Sequence, residues 1–311
     1  MSTKKMIHKE WLLKHKIELE VSLIIGIISS FLVIWGFLFG YRLQAILYSP
    51  LITPEEWCNI QPCISINILR YTLTIVKPSS SFIVYFLGFQ TTIIGIYLLL
   101  SRNGQKSRLW WGIALILWGL GAIFAGTSYQ AFSYEIKCAG KNFCIWTSWW
   151  EIMYLIFTVG SVEAMLIAQS YACLPSKYRK ICWVYSFGVF LIYIVMILIG
   201  AYLPFQFLIS FELMILFLTP NIIFFLGLNI FRYIKNKNPM DKGLIMIWIL
   251  LIIIIGVYFL YLIFGITEIL WELGIWFSEN DVLHIGLIIW MLYVLVAIRK
   301  YLIDLKKRSL K

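Results

Sequence analysis

The chain has 311 residues, 61% of them hydrophobic, 17% aromatic and only 13% charged, with a formal net charge of +11. Its mean hydropathy is +0.87. A soluble domain carries about 25% charged and 45–50% apolar residues, so a soluble enzyme and a disordered chain are excluded, and 6 cysteines are too sparse for a small disulfide scaffold. The class is an all-α polytopic membrane helical bundle.

In chain order, residues 1–20 read as an inner amphipathic tail. Lys9, Glu10, Lys14, Lys16, Glu18 and Glu20 stand among Trp11, Leu12, Leu13, Ile17 and Leu19 there, a pattern suited to lying along a membrane surface. One membrane domain over 21–300 follows, then an inner basic tail over 301–311. Crossing hydrocarbon takes roughly 20 apolar residues. Eight segments qualify, near 21–41, 81–101, 109–129, 148–170, 181–202, 207–229, 244–264 and 282–299. The outer loop 42–80 is long enough to act as a lid. Inside it, 64–76 is apolar but short and holds Arg70, so it is expected to be a re-entrant or interfacial piece. Outer segment 265–280 sets Glu268, Glu272 and Glu279 among Ile269, Leu270, Trp271, Ile275 and Trp276, which reads as an interfacial helix with an acidic face. Gly36 and Gly40 form GxxxG in the first crossing, and Gly112, Gly119, Ala122 and Gly126 form a stripe in the third. Close internal packing is the reading preferred over a dimer face. No internal repeat argues for an inverted-repeat transporter.

Basic residues set the orientation. With the N-terminus inside, 21 Lys and Arg fall on inner segments, and 5 (Arg42, Arg70, Lys77, Lys137, Lys141) fall on outer ones. An excess of Lys and Arg marks the cytoplasmic side, so the chain is expected N-in and C-in, in a bacterial inner membrane or a plasma membrane. The positive charge is then accounted for by topology and anionic head groups, with no nucleic-acid partner. No cleavable signal peptide is expected. Cys58, Cys63, Cys138 and Cys144 lie on outer loops, where disulfides form. Three connectivities are open. A zinc site from these four is the second choice, because no His accompanies them. Cys173 and Cys182 flank an inner loop and should be reduced.

Ionisable groups inside a membrane ask for a reason, since each costs about 2.5–3.5 kcal/mol or more at mid-span. Gln130, Glu151, Glu212 and His284 sit on four different crossings and, in this orientation, all in the outer half. Ser133 lies beside Gln130 where the third crossing emerges. Asp281, three residues before His284, shares its helix face. It is read either as a cap for the last helix or as the carboxylate that orients the imidazole. These six are the candidate cavity residues. Glu163 lies 12 residues from Glu151, about 18 Å along the same helix, and is expected to form a buried pair or a hydrogen bond with a group on another crossing.

Three stretches carry a family resemblance. The third crossing ends Gly119-Leu120-Gly121-Ala122-Ile123-Phe124-Ala125-Gly126-Thr127-Ser128-Tyr129-Gln130, the fourth opens Trp149-Trp150-Glu151-Ile152-Met153-Tyr154, and the last opens Asp281-Val282-Leu283-His284. Their order resembles the alkaline-ceramidase branch of the CREST superfamily of membrane hydrolases. The resemblance implies a seven-helix bundle with one extra N-terminal helix here. It also implies a zinc-activated water for amide hydrolysis, held in that family by three His. In this chain Gln130 or Tyr129 stands at the first position and Ile288 at the last, so no metal and no cofactor is expected. The leading functional reading is a non-catalytic or altered bundle whose outward-facing polar cavity binds a lipid or small ligand. A membrane hydrolase of a lipid amide or ester, and a transporter or proton-coupled channel, are the alternatives.

Overall fold

A computed structural model describes residues 16–69 and 71–305. Arg70, most of the expected amphipathic tail and the basic residues after 305 lie outside these. The chain is an all-α bundle whose eight long apolar helices match the eight expected crossings. They are α1 (Lys16–Phe39), α3 (Pro78–Leu100), α4 (Lys106–Ala125), α6 (Trp149–Cys173), α7 (Ser176–Tyr202), α8 (Phe211–Asn236), α9 (Pro239–Ile263) and α11 (Glu279–Tyr301). Short helices α2 (Pro54–Trp57), α5 (Ser133–Lys137) and α10 (Ile266–Glu272) lie in the connections. A π-helical turn, Gly126–Ala131, prolongs α4.

Helix ends follow local chemistry. Pro78 and Pro239 begin α3 and α9, where a missing N–H is harmless. Asn238 accepts from Met240 N at 2.9 Å and Ser210 from Leu213 N at 3.3 Å, each supplying a donor that the first turn otherwise leaves unmatched. Six helices form a closed ring in the order α3, α4, α6, α8, α9, α11 and back to α3. α7 covers α6 from outside. α6 is therefore buried over almost its whole length, as expected of a helix apolar on every side. Gly88 and Gly95 of α3 meet Gly119 and Gly112 of α4. A Cβ at Gly95 would stand 2.7 Å from Gly112 O, and one at Gly119 2.6 Å from Gly88 O. The small-residue stripe thus serves close packing within one chain. Gly36 likewise abuts the Trp149 indole, while Gly40 touches nothing.

Tryptophans fill the middle and lower ring. Trp118 of α4 reaches Trp290 of α11 at 5.5 Å between ring centroids. Trp111 of α4 stacks with Trp248 of α9 at 6.0 Å, and Phe225 of α8 on Trp248 at 4.6 Å. Trp290 Nε1 donates to Ile247 O at 2.7 Å, which satisfies the one polar atom an indole brings into a core.

The structure gives form to two sequence expectations. Segment 64–76, expected as a re-entrant or interfacial piece, is an antiparallel hairpin of β1 (Cys63–Ile68) and β2 (Tyr71–Val76), with Ser65 opposite Thr74 and Ile66 opposite Leu73. Alternating Ile, Ser, Ile, Asn, Ile suits a pleated strand. The expected single helix over 265–280 is broken: Ile266–Glu272 is helical, Gly274 at φ +76° follows, a conformation open mainly to glycine, and helix resumes only at Glu279 with α11.

Candidate functional site

The connections at one end of the bundle form a small second core. The disulfides are Cys58–Cys63 and Cys138–Cys144, one of the three connectivities left open, while Cys173 and Cys182 are free thiols. Trp57, Val76 and the Cys138–Cys144 bridge are buried together. Backbone bonds tie the loops: Cys144 N to Ile52 O at 2.8 Å, Trp146 N to Ile46 O at 2.8 Å and Lys77 N to Pro62 O at 2.8 Å. Glu135 Oε1 accepts from Thr74 N at 3.0 Å. The loop 42–80 is thus fastened over α5.

Lys137 ends α5 beneath this cap, with its backbone O bonded to Ile145 N at 3.0 Å. Its side chain is 1% exposed and meets Glu151 Oε1 at 2.6 Å, the carboxylate being 2% exposed. Lys137 Nζ also donates to Trp146 O at 3.1 Å and Tyr48 OH at 3.2 Å, and it faces the Tyr129 ring at 4.9 Å. All three ammonium hydrogens have acceptors. Burial opposes the charge, but the Glu151 carboxylate and Tyr48 outweigh it and hold the ammonium above the usual lysine range. The second Glu151 support is Ser128 on the π turn, donating at 2.8 Å. With its hydrogen so placed, Ser128 Oγ accepts from Ser148 Oγ at 2.6 Å. A π turn is a usual device for aiming side chains at a site, and here it places Thr127, Ser128, Tyr129 and Gln130 within one turn.

Across the ring, Asp281 and Ser278 form the first turn of α11. Asp281 Oδ2 accepts from Ser278 N at 2.6 Å and Ser278 Oγ at 3.1 Å, while the nearby Ser79 hydroxyl donates to Trp276 O at 2.6 Å. Ser80 and Ser278 hydroxyls lie 3.1 Å apart, so this cap also locks α3 to α11. Lys77, at φ +45°, stands over the Trp271 ring at 5.6 Å. Burial pushes its ammonium down, against the attraction of Glu279 and Asp281.

The six sequence candidates therefore separate. Gln130, Ser133, Glu151 and Asp281 are buried and His284 is half-buried, all at the disulfide-bearing end. Gln130 Oε1, Ser133 Oγ, Asp281 Oδ1 and His284 Nδ1 are buried without a hydrogen-bond partner among the described residues. Glu212 does not join them. It is exposed in the first turn of α8, where a carboxylate faces the positive helix end. Asp281 acts as the cap and is not bonded to His284 among the described residues. Lys137, Ser128 and Tyr48 escaped the sequence reading. The signal for Lys137 was a requirement: a buried Glu151 needs a cation, and Lys137 and Lys141 are the basic residues of the adjoining loop. Tyr129 is 41% exposed although it contacts the buried Lys137 and packs edge-on against Tyr154 at 6.1 Å.

Among the described residues, no three His, Cys, Asp or Glu side chains group as metal ligands would. Residues 79–302 match a family of unknown function, DUF6962. The chain belongs to that family, whose matched region runs from the first turn of α3 to the end of α11 and leaves α1 and the hairpin outside. Neither the curated proteins nor the solved structures contain a match to this chain.

Proposed function

We propose that the ring interior above the tryptophans is an outward-opening cavity that binds a lipid or small amphipathic ligand without turning it over. The observation that carries this reading is the partial exposure of Tyr129, among groups that protein encloses. Trp118, Tyr154, Tyr258 and His284 share that partial exposure. A ligand with a polar end would meet the unmatched Gln130 Oε1, Asp281 Oδ1 and His284 Nδ1, and its apolar part would rest on Trp118 and the tyrosines. Aromatic walls with a few convergent polar groups are what such sites use. The Glu151 carboxylate, held by Lys137 and Ser128, serves here as a strut rather than as an acid–base group. The framework of this reading is an altered CREST-like bundle of seven helices with α1 added, a proposal that rests on the three sequence stretches alone.

Cysteine accessibility tests the cavity. In a Cys182→Ser background, Tyr129→Cys and His284→Cys should react with a membrane-impermeant thiol reagent added from the disulfide side, and Trp290→Cys should not. Co-purified lipid, identified by native mass spectrometry, should slow both reactions. Labelling of Tyr129→Cys and His284→Cys only by lipid-soluble reagents would place these side chains against acyl chains and refute the cavity.

A further inference from the structure

A second hollow lies on the flank of the bundle, apart from the Lys137–Glu151 cluster. α1, α4, α6 and α7 border a crevice of about 70 Å³. Ile28, Trp110, Leu117, Phe187 and Phe190 give it apolar walls, and Glu163 of α6 breaks them. Glu163 is 3% exposed. Its Oε1 accepts from Asn221 Nδ2 of α8 at 2.7 Å, so the partner expected on another crossing is Asn221. Its backbone O accepts from Ser186 Oγ at 3.2 Å. Oε2 is buried and has no hydrogen-bond partner among the described residues, and no Lys or Arg there forms an ion pair with it.

An unmatched buried oxygen costs about 1–3 kcal/mol, so a ligand that matches it gains binding energy. A lone water fits less well: it makes about 2–4 hydrogen bonds, and besides Glu163 the crevice offers it only the acceptor lone pairs of the Ser186 hydroxyl among apolar walls. A hydroxyl on an apolar chain fits well. It donates and accepts, so it satisfies Oε2 whether or not the carboxyl is ionised. Ile28 of α1 lines the crevice and its neighbours Ile27 and Phe31 are exposed, so the bilayer side, beside α1, is the route by which a lipid would enter. α1 rests on the bundle through Leu32, the Trp35–Trp149 stack at 5.3 Å and the Phe39–Tyr202 edge contact at 5.6 Å. The volume accepts the hydroxyl end of a chain, and the remainder runs out between α1 and α7.

We propose that Glu163 and this crevice form a lateral site for a neutral lipid bearing a single hydroxyl. The test uses a long-chain alcohol with a diazirine near its hydroxyl end, photolysed with the full chain in phospholipid vesicles. Peptide mapping should locate adducts on the α6 and α7 segments around Glu163 and Phe187. They should exceed those of the matching diazirine alkane roughly tenfold, the ratio one net hydrogen bond gives, and excess unlabelled alcohol should remove them. Glu163→Leu should abolish the preference for alcohol over alkane, and Glu163→Gln, whose amide still donates and accepts, should keep it. Ile28→Trp fills the crevice from a half-buried position and should lower labelling by both probes, which keeps the site testable if Glu163→Leu misfolds. Equal labelling by alcohol and alkane in the wild type, or labelling by both probes undiminished in Ile28→Trp, overturns the proposal.

Discussion

Replacing Lys137 by Met tests the electrostatic logic of the disulfide-bearing end. The side chain fits the same space, but Glu151 then loses its cation at 2.6 Å while staying 2% exposed. Breaking a buried pair from one side costs about 3–5 kcal/mol, because the abandoned charge has nowhere to go. Tyr48 OH and Trp146 O lose their donor as well. Lys137→Met with Glu151→Gln removes both charges, and the introduced amide can still accept from Ser128, so the double variant should recover about 2 kcal/mol of the single loss. Unfolding in mixed micelles, followed by tryptophan fluorescence, of wild type, Lys137→Met, Glu151→Gln and the double variant gives the four free energies of the cycle. The pH dependence has a defined sign. A lysine held above its ordinary value contributes stability in full below about pH 10.4, and that contribution is lost as pH rises through the folded value. The wild type should therefore lose stability at alkaline pH with a component missing from Lys137→Met. A single variant within about 1 kcal/mol of wild type, or a double variant as unstable as the sum of both singles, would refute the reasoning.

Other expectations follow from packing and caps. Gly119→Leu should cost about 3 kcal/mol or more, since even a Cβ meets Gly88 O and Thr92. Gly227→Ala, which meets nothing within 4 Å, should stabilise α8 by about 0.5–1 kcal/mol in the same micellar assay. Peptide mapping without reductant should recover Cys58 linked to Cys63 and Cys138 to Cys144, with Cys173 and Cys182 alkylated; a bridge between the two loops would contradict the cap. Asp304 accepts from Lys106 N at 2.7 Å and Ser107 N at 2.9 Å, so Asp304→Ala should cost about 0.5–2 kcal/mol, and Asp304→Asn should restore most of it.

The eight crossings were legible because a run of apolar residues long enough to span hydrocarbon has few other uses. Glu151 was legible for the related reason that a carboxylate among apolar residues must be answered. The answer itself was not, because Lys137 is separated from it by a loop whose path depends on the Cys138–Cys144 bridge and on backbone bonds to residues 46 and 52. Glu212 shows the limit of depth as a guide. It stands in the first turn of α8 with its side chain exposed, and hydropathy over such an apolar stretch carries little rotational information. The hairpin was missed because apolar character, short length and Arg70 were weighed at 64–76, and period was not. Its alternation of Ile64, Ile66 and Ile68 with Ser65 and Asn67 was the stronger clue.

The seam between α3 and α11 imposes an order on biogenesis. Ser80 meets Ser278, and Gln90 Nε2 donates to Ile288 O at 3.2 Å, while Asp304 caps α4; these partners are nearly 200 residues apart in the chain. During translation α3 leaves the insertion channel long before α11 exists. For that interval its Ser, Thr and Gln side chains face lipid or a holding chaperone rather than their final neighbours. The barrel is completed only by the last helix to arrive, so stalled or shortened products should be recognised by membrane quality control through this one unsealed edge.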